Sequence, residues 1–232
     1  FPTRRSSDLD YGELEELDWD AYLKRYDNIQ RLDRILESEG DSVNKYKASK
    51  QADVLMLFYL FTSEHLKKIF KRLGYDFEKD TIPKTIEYYL SRTSHGSTLS
   101  RVVHAQLANM IGNEKLSWEL YSDALSSDYN DIQGGTTAEG IHAGVMAGTV
   151  LVALQTYAGV DVRDGKLSIN PHLPGQWRSI KFNLTLQGKQ FQIEVSQSKV
   201  KVKYDGENEK VVLWVNGEQK EVAHGNEITA EY

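Results

Sequence analysis

Apolar residues in this chain follow two different periods, and the change between them falls near residue 159. Before it they recur three and four positions apart, the spacing that lays one stripe along a helix. The pattern predicts a helix over residues 21–39, with Ile29, Leu32, Ile35 and Leu36 inward and Gly40 closing it. Residues 54–61 are the most apolar run, too short for a bilayer and read as a helix buried nearly all round. An amphipathic helix follows over 64–73 and stops at Gly74. Another carries Pro83 in its first turn. Val102, Val103, Ala105, Leu107, Met110 and Ile111 mark a further helix ending at Gly112, and residues 114–126 mark the next. The last predicted helix, over 141–157, is dense in Ala and Gly, which permits close helix approach. Short loops between helix pairs suggest an antiparallel helical array. Beyond Gly159 apolar and polar residues alternate over 166–170, 179–186, 190–196, 199–204 and 211–215. The breaks at Gln187-Gly188, Asp205-Gly206 and Asn216-Gly217 are turn signals, so five or six short strands are expected in an antiparallel sheet or sandwich.

Two stretches interrupt the helical half with small hydroxyls, glycine and histidine. The first is Arg92-Thr93-Ser94-His95-Gly96-Ser97-Thr98-Leu99-Ser100, and the second is Gly134-Gly135-Thr136-Thr137-Ala138-Glu139-Gly140-Ile141-His142. Each feeds a helix, where backbone N–H groups left without intrahelical partners favour an anion. Together they suggest one shared site. Simpler roles stand beside that reading: Ser94 or Ser97 as an N-cap, and Thr136 with Glu139 as a capping box. His104, inside the following helix, reads as a packed core histidine. Glu15, Glu16, Asp18 and Asp20 read as a solvated face, and Lys50 with Asp53 as either site residues or a helix-end ion pair.

Composition narrows the partners. The 232 residues carry a formal charge of −6, so no basic face is available to neutralise a nucleic-acid backbone. There is no cysteine, which excludes disulfides and thiolate metal sites, and the six histidines lie too far apart in sequence to suggest a metal centre. No apolar run reaches the roughly 18–20 residues of a membrane span. Residues 1–9, Phe1-Pro2-Thr3-Arg4-Arg5-Ser6-Ser7-Asp8-Leu9, resemble one reading frame of a short-read sequencing adapter and are set aside from fold reasoning. The coding sequence they abut is accordingly expected to be a fragment.

Four motifs in order then acquire a common meaning. Lys50-Gln51-Ala52-Asp53-Val54, the loop at 93–100, Glu139-Gly140-Ile141-His142 and Asn170-Pro171-His172-Leu173-Pro174 together resemble glycoside hydrolase family 65, over about residues 11–195. The resemblance implies an α+β multidomain chain: the C-terminal part of an (α/α)6 barrel over 10–158, then a small antiparallel, jelly-roll-like β-sandwich over 159–232. It implies an inverting disaccharide phosphorylase, or else a hydrolase of the same family. In the phosphorylases a glutamic acid protonates the leaving glycosidic oxygen while inorganic phosphate attacks the anomeric carbon from the opposite face, giving β-glucose 1-phosphate.

By the same resemblance Lys50 and Gln51 would contact the sugar. Arg92, His95, Ser97, Thr98, Gly140, Ile141 and His142 would hold phosphate, which is a co-substrate; no cofactor or metal is implied. Partners would be an α-linked glucose disaccharide and phosphate, and the parent a cytoplasmic homodimer. Two motifs depart from the better-known phosphorylases. Tyr88-Tyr89-Leu90-Ser91 stands where they carry Tyr-Tyr-Glu-Pro, and His95-Gly96-Ser97-Thr98 where they tend to carry His-Asp-Ser-Ser. The family's general acid belongs to a segment upstream of Lys50-Gln51 that this chain does not contain, so the chain by itself is expected to be inactive. Glu139 would matter as a base in a hydrolase. A carbohydrate-binding helical module without catalysis is the remaining alternative.

Overall fold

The computed structural model describes residues 11–51, 53–78, 80–132, 138, 140–206 and 210–232. The chain divides into two compact units, Phe1–Gly148 and Thr149–Tyr232. The first is helical. Its elements are α1 (Trp19–Arg25), α2 (Leu32–Ser38), α3 (Met56–Leu60), α4 (Ser63–Leu73), α5 (Thr81–Leu90), α6 (Thr98–Met110), α7 (Glu114–Ser126) and α8 (Ala143–Leu151). α8 runs on into a π-helical segment, Val152–Tyr157, and the two together fill the predicted span.

Helix α6 is the most buried, with Val102, Val103, His104, Ala105, Leu107 and Ala108 all inside. Its antiparallel partner α7 starts at Asn113, whose side chain accepts from Leu116 N at 3.1 Å as an N-cap. Ser117 Oγ of α7 donates to the Ala105 carbonyl at 2.7 Å, so this buried hydroxyl is satisfied across the helix pair. Helix α8 lies on another face of α6. A methyl on Gly144 would meet Leu99 Cδ2 at 3.8 Å, and one on Gly148 would meet Val102 Cγ1 at 2.7 Å. Gly144 matches Leu99 and Gly148 matches Val102, so both helices run the same way. Their N-termini therefore share one end, where Ser97 leads into α6 and Gly140-Ile141-His142 leads into α8.

Two helical expectations change. The stretch 21–39 is two helices, because Tyr26 is extended and Asn28 Oδ1 accepts from Gln30 N at 2.8 Å, a local turn that competes with helix. The run 54–61 forms only the short α3. Thr62 caps the next helix by accepting from His65 N, and both Thr62 and Phe61 before it are extended, so the chain leaves the helix there. Leu55 and Phe58 are buried, but Leu57, Leu60 and Phe61 are exposed, so the helix is not enclosed.

The second unit is a sandwich of two four-stranded sheets. β1 (Val160–Arg163), β2 (Lys166–Ile169), β6 (Lys210–Val215) and β7 (Glu218–Ala223) form one, in that order. β3 (Ser179–Leu186), β4 (Lys189–Ser196), β5 (Lys199–Asp205) and β8 (Glu227–Glu231) form the other. Leu167, Ile169, Leu213 and Val215 from the first sheet meet Phe191, Ile193, Val195, Val200, Val202 and Tyr204 from the second in one core. The pairings are antiparallel except β2 with β6, which run parallel with Ser168 opposite Trp214. Those strands are separated by the hairpins of the other sheet, and a long crossover permits parallel pairing where a tight turn cannot. β1, β7 and β8 were not separately predicted. β8 does alternate, Ile228 and Ala230 facing the core between exposed Glu227, Thr229 and Glu231, but its inward pair includes a small alanine; β7 offers only Val222 as an apolar core residue.

Gly159 closes the start of this unit. Its φ is +69°, and an added methyl would fall 1.8 Å from the Asn170 carbonyl oxygen. Gly159→Ala should therefore cost about 2–4 kcal/mol. Gly217→Ala, at φ +78° but facing open space, should cost about 1–2 kcal/mol. Urea unfolding followed by tryptophan fluorescence measures the difference.

Candidate functional site

The first loop is held by backbone pairing with the Lys50 segment. Ser49 N donates to Arg92 O at 2.7 Å, Ser94 N to Ser49 O at 2.9 Å, and Gly96 N to Lys50 O at 2.9 Å. Position 96 must be glycine here, since a methyl would lie 2.4 Å from the Gln30 carbonyl oxygen. Lys50 and Gln51 thus stand beside His95, Ser97 and Thr98. Gln51, Asp53, Leu99 and Ser100 line a cavity of about 230 Å³ with Met56 and Val103. Asp53 takes a long contact of 3.4 Å from Gln51 Nε2.

His95 occupies the left-handed region, with φ 54°, at the bend before α6. Its Nδ1 lies 3.0 Å from Ser100 Oγ, and its ring meets that of His104 edge-to-face at 4.7 Å between centroids. Burial, with help from the nearby His104 and Arg101, pushes the His95 pKa down to about 3. The fully buried His104 is also lowered by desolvation, as the core histidine that the sequence implied. Ser97 holds the N-cap position of α6 without a side-chain cap bond, and Thr98 is buried in the first turn. Neither hydroxyl of the expected phosphate pair is used as a helix cap.

Arg92 has other company. Its Nε donates to Glu16 Oε2 at 3.0 Å, its Nη1 to Tyr88 O at 3.1 Å, and its guanidinium stacks 3.9 Å above the Tyr88 ring. Glu16 also pairs with Lys47 at 3.4 Å, and Asp18 caps α1 by accepting from Ala21 N. That part of the supposed solvated carboxylate face is a set of specific contacts.

At the second loop, His142 is clamped by one carboxylate: Nδ1 lies 2.5 Å from Asp128 Oδ1, and the backbone N donates to Oδ2 at 2.8 Å. The imidazole in turn holds the Asp128 carboxyl below its usual range. Gly140, at φ +102°, and Ile141, 80% exposed, precede it at the mouth of α8. Residues 134–137 and Glu139, and with them the capping-box and hydrolase-base readings, lie outside the described residues.

Three further residues belong to this neighbourhood. Arg101, 4% exposed, reaches Asp123 Oδ2 at 3.3 Å and the His95 carbonyl at 3.5 Å. Ser100 touches both histidines, and Asp128 orients His142. The four-residue spacing of Ser100 and His104 was a usable signal; nothing in the sequence marked Asp128. Among the described residues no cluster of carboxylates and histidines could hold a metal, and no helix is long and apolar enough to cross a membrane.

The family model for the glycosyl hydrolase family 65 central catalytic domain matches residues 6–151, and that for the family's C-terminal domain matches 160–222. The chain belongs to glycosyl hydrolase family 65. An uncharacterised glycosyl hydrolase of Mycobacterium tuberculosis is 50% identical over 186 residues, covering 80% of this chain and 14% of that protein. Trehalose 6-phosphate phosphorylase of Lactococcus lactis is 41% identical over 190 residues, covering 82% of this chain and 25% of that enzyme. Kojibiose phosphorylase of Escherichia coli is 30% identical over 189 residues, covering 82% and 23%. The chain therefore spans a quarter or less of these relatives. A solved structure assigned as a kojibiose phosphorylase from human microbiome shares the fold, with a TM-score of 0.77 at 20% identity over 97% of this chain and 30% of that one.

The buried histidines carry a pH signature. His95 has an ordinary value of 6.5 and titrates near 3 when folded. Its stabilising effect is complete above 6.5 and is lost as pH falls, because only the unfolded chain then binds the proton. Carboxylates enter mainly below about pH 5. Between pH 6.5 and 5 the urea midpoint should therefore fall. The slope should flatten in His95→Asn, which tolerates a positive φ.

Proposed function

We propose that this chain carries the phosphate-holding part of an inverting α-glucoside phosphorylase that releases β-glucose 1-phosphate. The observation that carries the reading is the parallel alignment of α6 and α8. It brings the N-terminal ends of two helices, and the His95-Gly96-Ser97-Thr98 and Gly140-Ile141-His142 segments, to one end of the helical unit. Lys50 and Gln51 are fastened to the first of these segments. Backbone N–H groups, hydroxyls and imidazoles suit a dianion that must be held in line with an anomeric carbon. Such preorganised donors act on charge that shifts from phosphate to the leaving group as the bond breaks.

In this reading Lys50 and Gln51 orient the glucosyl unit, and His95, Ser97, Thr98 and His142 hold phosphate. Asp128 keeps His142 in place. Arg92, already joined to Glu16 and stacked on Tyr88, braces the start of the loop. The proton for the leaving oxygen is assigned to no residue of this chain, so the 232 residues alone should bind phosphate without turning over. The 41% identity to a trehalose 6-phosphate phosphorylase, against 30% to a kojibiose phosphorylase, puts a phosphorylated trehalose first among substrates.

The test uses the complete gene product, supplied with trehalose 6-phosphate, trehalose, kojibiose, maltose or nigerose, with and without phosphate. Phosphate-dependent β-glucose 1-phosphate is the expected outcome, and the substrate that gives it names the linkage. Glucose release at the same rate without phosphate would replace this reading by hydrolysis and turn attention to Glu139. Within the phosphorylase, His142→Ala should lower kcat/KM for phosphate by about 10- to 100-fold, the loss of one hydrogen bond to a charged group.

A further inference from the structure

The outward faces of the two sheets in the β-sandwich spend their polar side chains differently. On the β1-β2-β6-β7 sheet the charges are engaged with near neighbours. Lys210 pairs with Glu221 at 2.9 Å, Lys220 with Glu218 at 2.7 Å, and Arg163 with Asp161 at 2.8 Å. Lys166 lies over the Trp214 ring at 5.6 Å. The β3-β4-β5-β8 sheet keeps such pairs to one end, where Lys199 meets Glu231 at 3.5 Å and Lys181 donates to Glu194 Oε2 at 3.2 Å. Lys201 also stands opposite Glu194, yet joins no ion pair among the described residues. Further along, the register sets Asn183, Gln192, Lys203 and Glu227 side by side across all four strands. Thr185, Gln190 and Asp205 form the next row. Among the described residues, the side chains of Asn183, Thr185, Gln190, Gln192 and Lys203 make no hydrogen bond or ion pair.

These unspent groups surround open space. They line a trough of about 360 Å³ that continues into a hollow of about 110 Å³, and Asn183, Gln192 and Lys203 belong to both. The larger volume already falls in the range of small-molecule sites, roughly 300–1,000 Å³. Amides donate and accept, ammonium groups donate, and carboxylates accept. That mixture suits sugar hydroxyls, which do both. Charge argues the same way: Lys201 and Lys203 are matched by Asp205 and Glu227 on the same face, and the whole chain carries −6, so no field draws in a polyanion. We propose that this face is a binding site for a neutral oligosaccharide, laid across the strands over Asn183, Gln192 and Lys203. The site is independent of the phosphate reading, since no residue of the helical unit takes part. Four strands at roughly 4.8 Å per step span about 14 Å, room for several linked sugar rings. The outward rows carry no aromatic ring, so hydrogen bonds alone hold the ligand. Binding in the millimolar range is expected.

The test titrates the ¹⁵N-labelled 232-residue chain with maltoheptaose, with dextran fragments of similar length, and with a heparin oligosaccharide. A neutral glycan should move amide resonances of β3, β4, β5 and β8 along a saturating curve, and the heparin fragment should not. Asn183→Ala combined with Lys203→Ala should weaken that binding about tenfold, the scale of two net hydrogen bonds. Both side chains are exposed and unbonded, so the urea midpoint should stay where it is. Gln219→Ala, on the other sheet, should leave the affinity unchanged. In the complete gene product the double variant should lose retention on an immobilised glucan, while kcat and KM for the disaccharide stay unchanged. No shifts with any neutral glycan, shifts confined to the helical unit, or a double variant that binds like wild type would each overturn the site. Tighter binding of the heparin fragment than of every neutral glycan would overturn the neutral ligand and replace it by an anion. None of these outcomes touches the phosphorylase reading, which stands or falls on β-glucose 1-phosphate.

Discussion

The backbone pairing of Ser49 and Lys50 with the turn at 92–96 is the constraint on which the rest of the helical unit depends. Three main-chain hydrogen bonds join segments more than forty residues apart in sequence. They are possible because glycine at 96 lets the chain pass against the Gln30 carbonyl. Once that passage is fixed, the sugar-contact candidates on one segment and the phosphate candidates on the other have a set spacing. The bend of His95 follows from the same passage, and its ring is delivered to Ser100. Local strain at a non-glycine residue with positive φ is tolerated where surrounding contacts over-determine it. Here those contacts are the Lys50 ladder on one side and the first turn of α6 on the other.

Burial has opposite meanings at the two histidines of the site. His95 is packed against His104 and beside Arg101, where a proton is unwelcome, so it works as a neutral hydrogen-bonding ring. His142 is joined to a carboxylate at both its ring and its backbone. One imidazole is thus kept uncharged by its surroundings while the other is seated on a negative partner. The Arg92–Glu16 pair and its stack on Tyr88 support the loop from behind. The Arg92 charge is occupied there by Glu16.

How much of this was legible in the sequence depended on range. Helix α7 could be read residue by residue because its signals, Asn113 and the periodic Leu116, Leu120 and Tyr121, lie within the element itself. The family motifs also carried the helix-to-sheet change and the two loops. Residues 54–61 misled because their composition says buried, while a single capping threonine just beyond them decides where the helix stops. β7 was hidden because Val222 is its one apolar core residue, and β8 because its alternation spans only five residues with a small alanine as half of its inward face. Asp128 was invisible for another reason: it meets His142 through the fold, fourteen positions away, and an aspartate before a loop has many simpler uses. The link from Ser100 to His95 depended on a backbone bend that no residue type announces.

The close contact at Gly148 has a consequence of its own. Helix α8 approaches α6 until Val102 fills the place where a side chain would be, so the distance between the two helices is set by a missing methyl group. The His95-Gly96-Ser97 turn and the Gly140-Ile141-His142 segment sit at the same end of those helices. The spacing of the two helix N-termini is therefore gauged by an atom that is absent, at a residue six positions beyond His142. Substitutions along the Gly144 and Gly148 stripe would push α8 away from α6 or tilt it without altering any residue at their N-terminal ends. The separation of the two helix ends is thus set from inside the helix pair and not by the loops themselves.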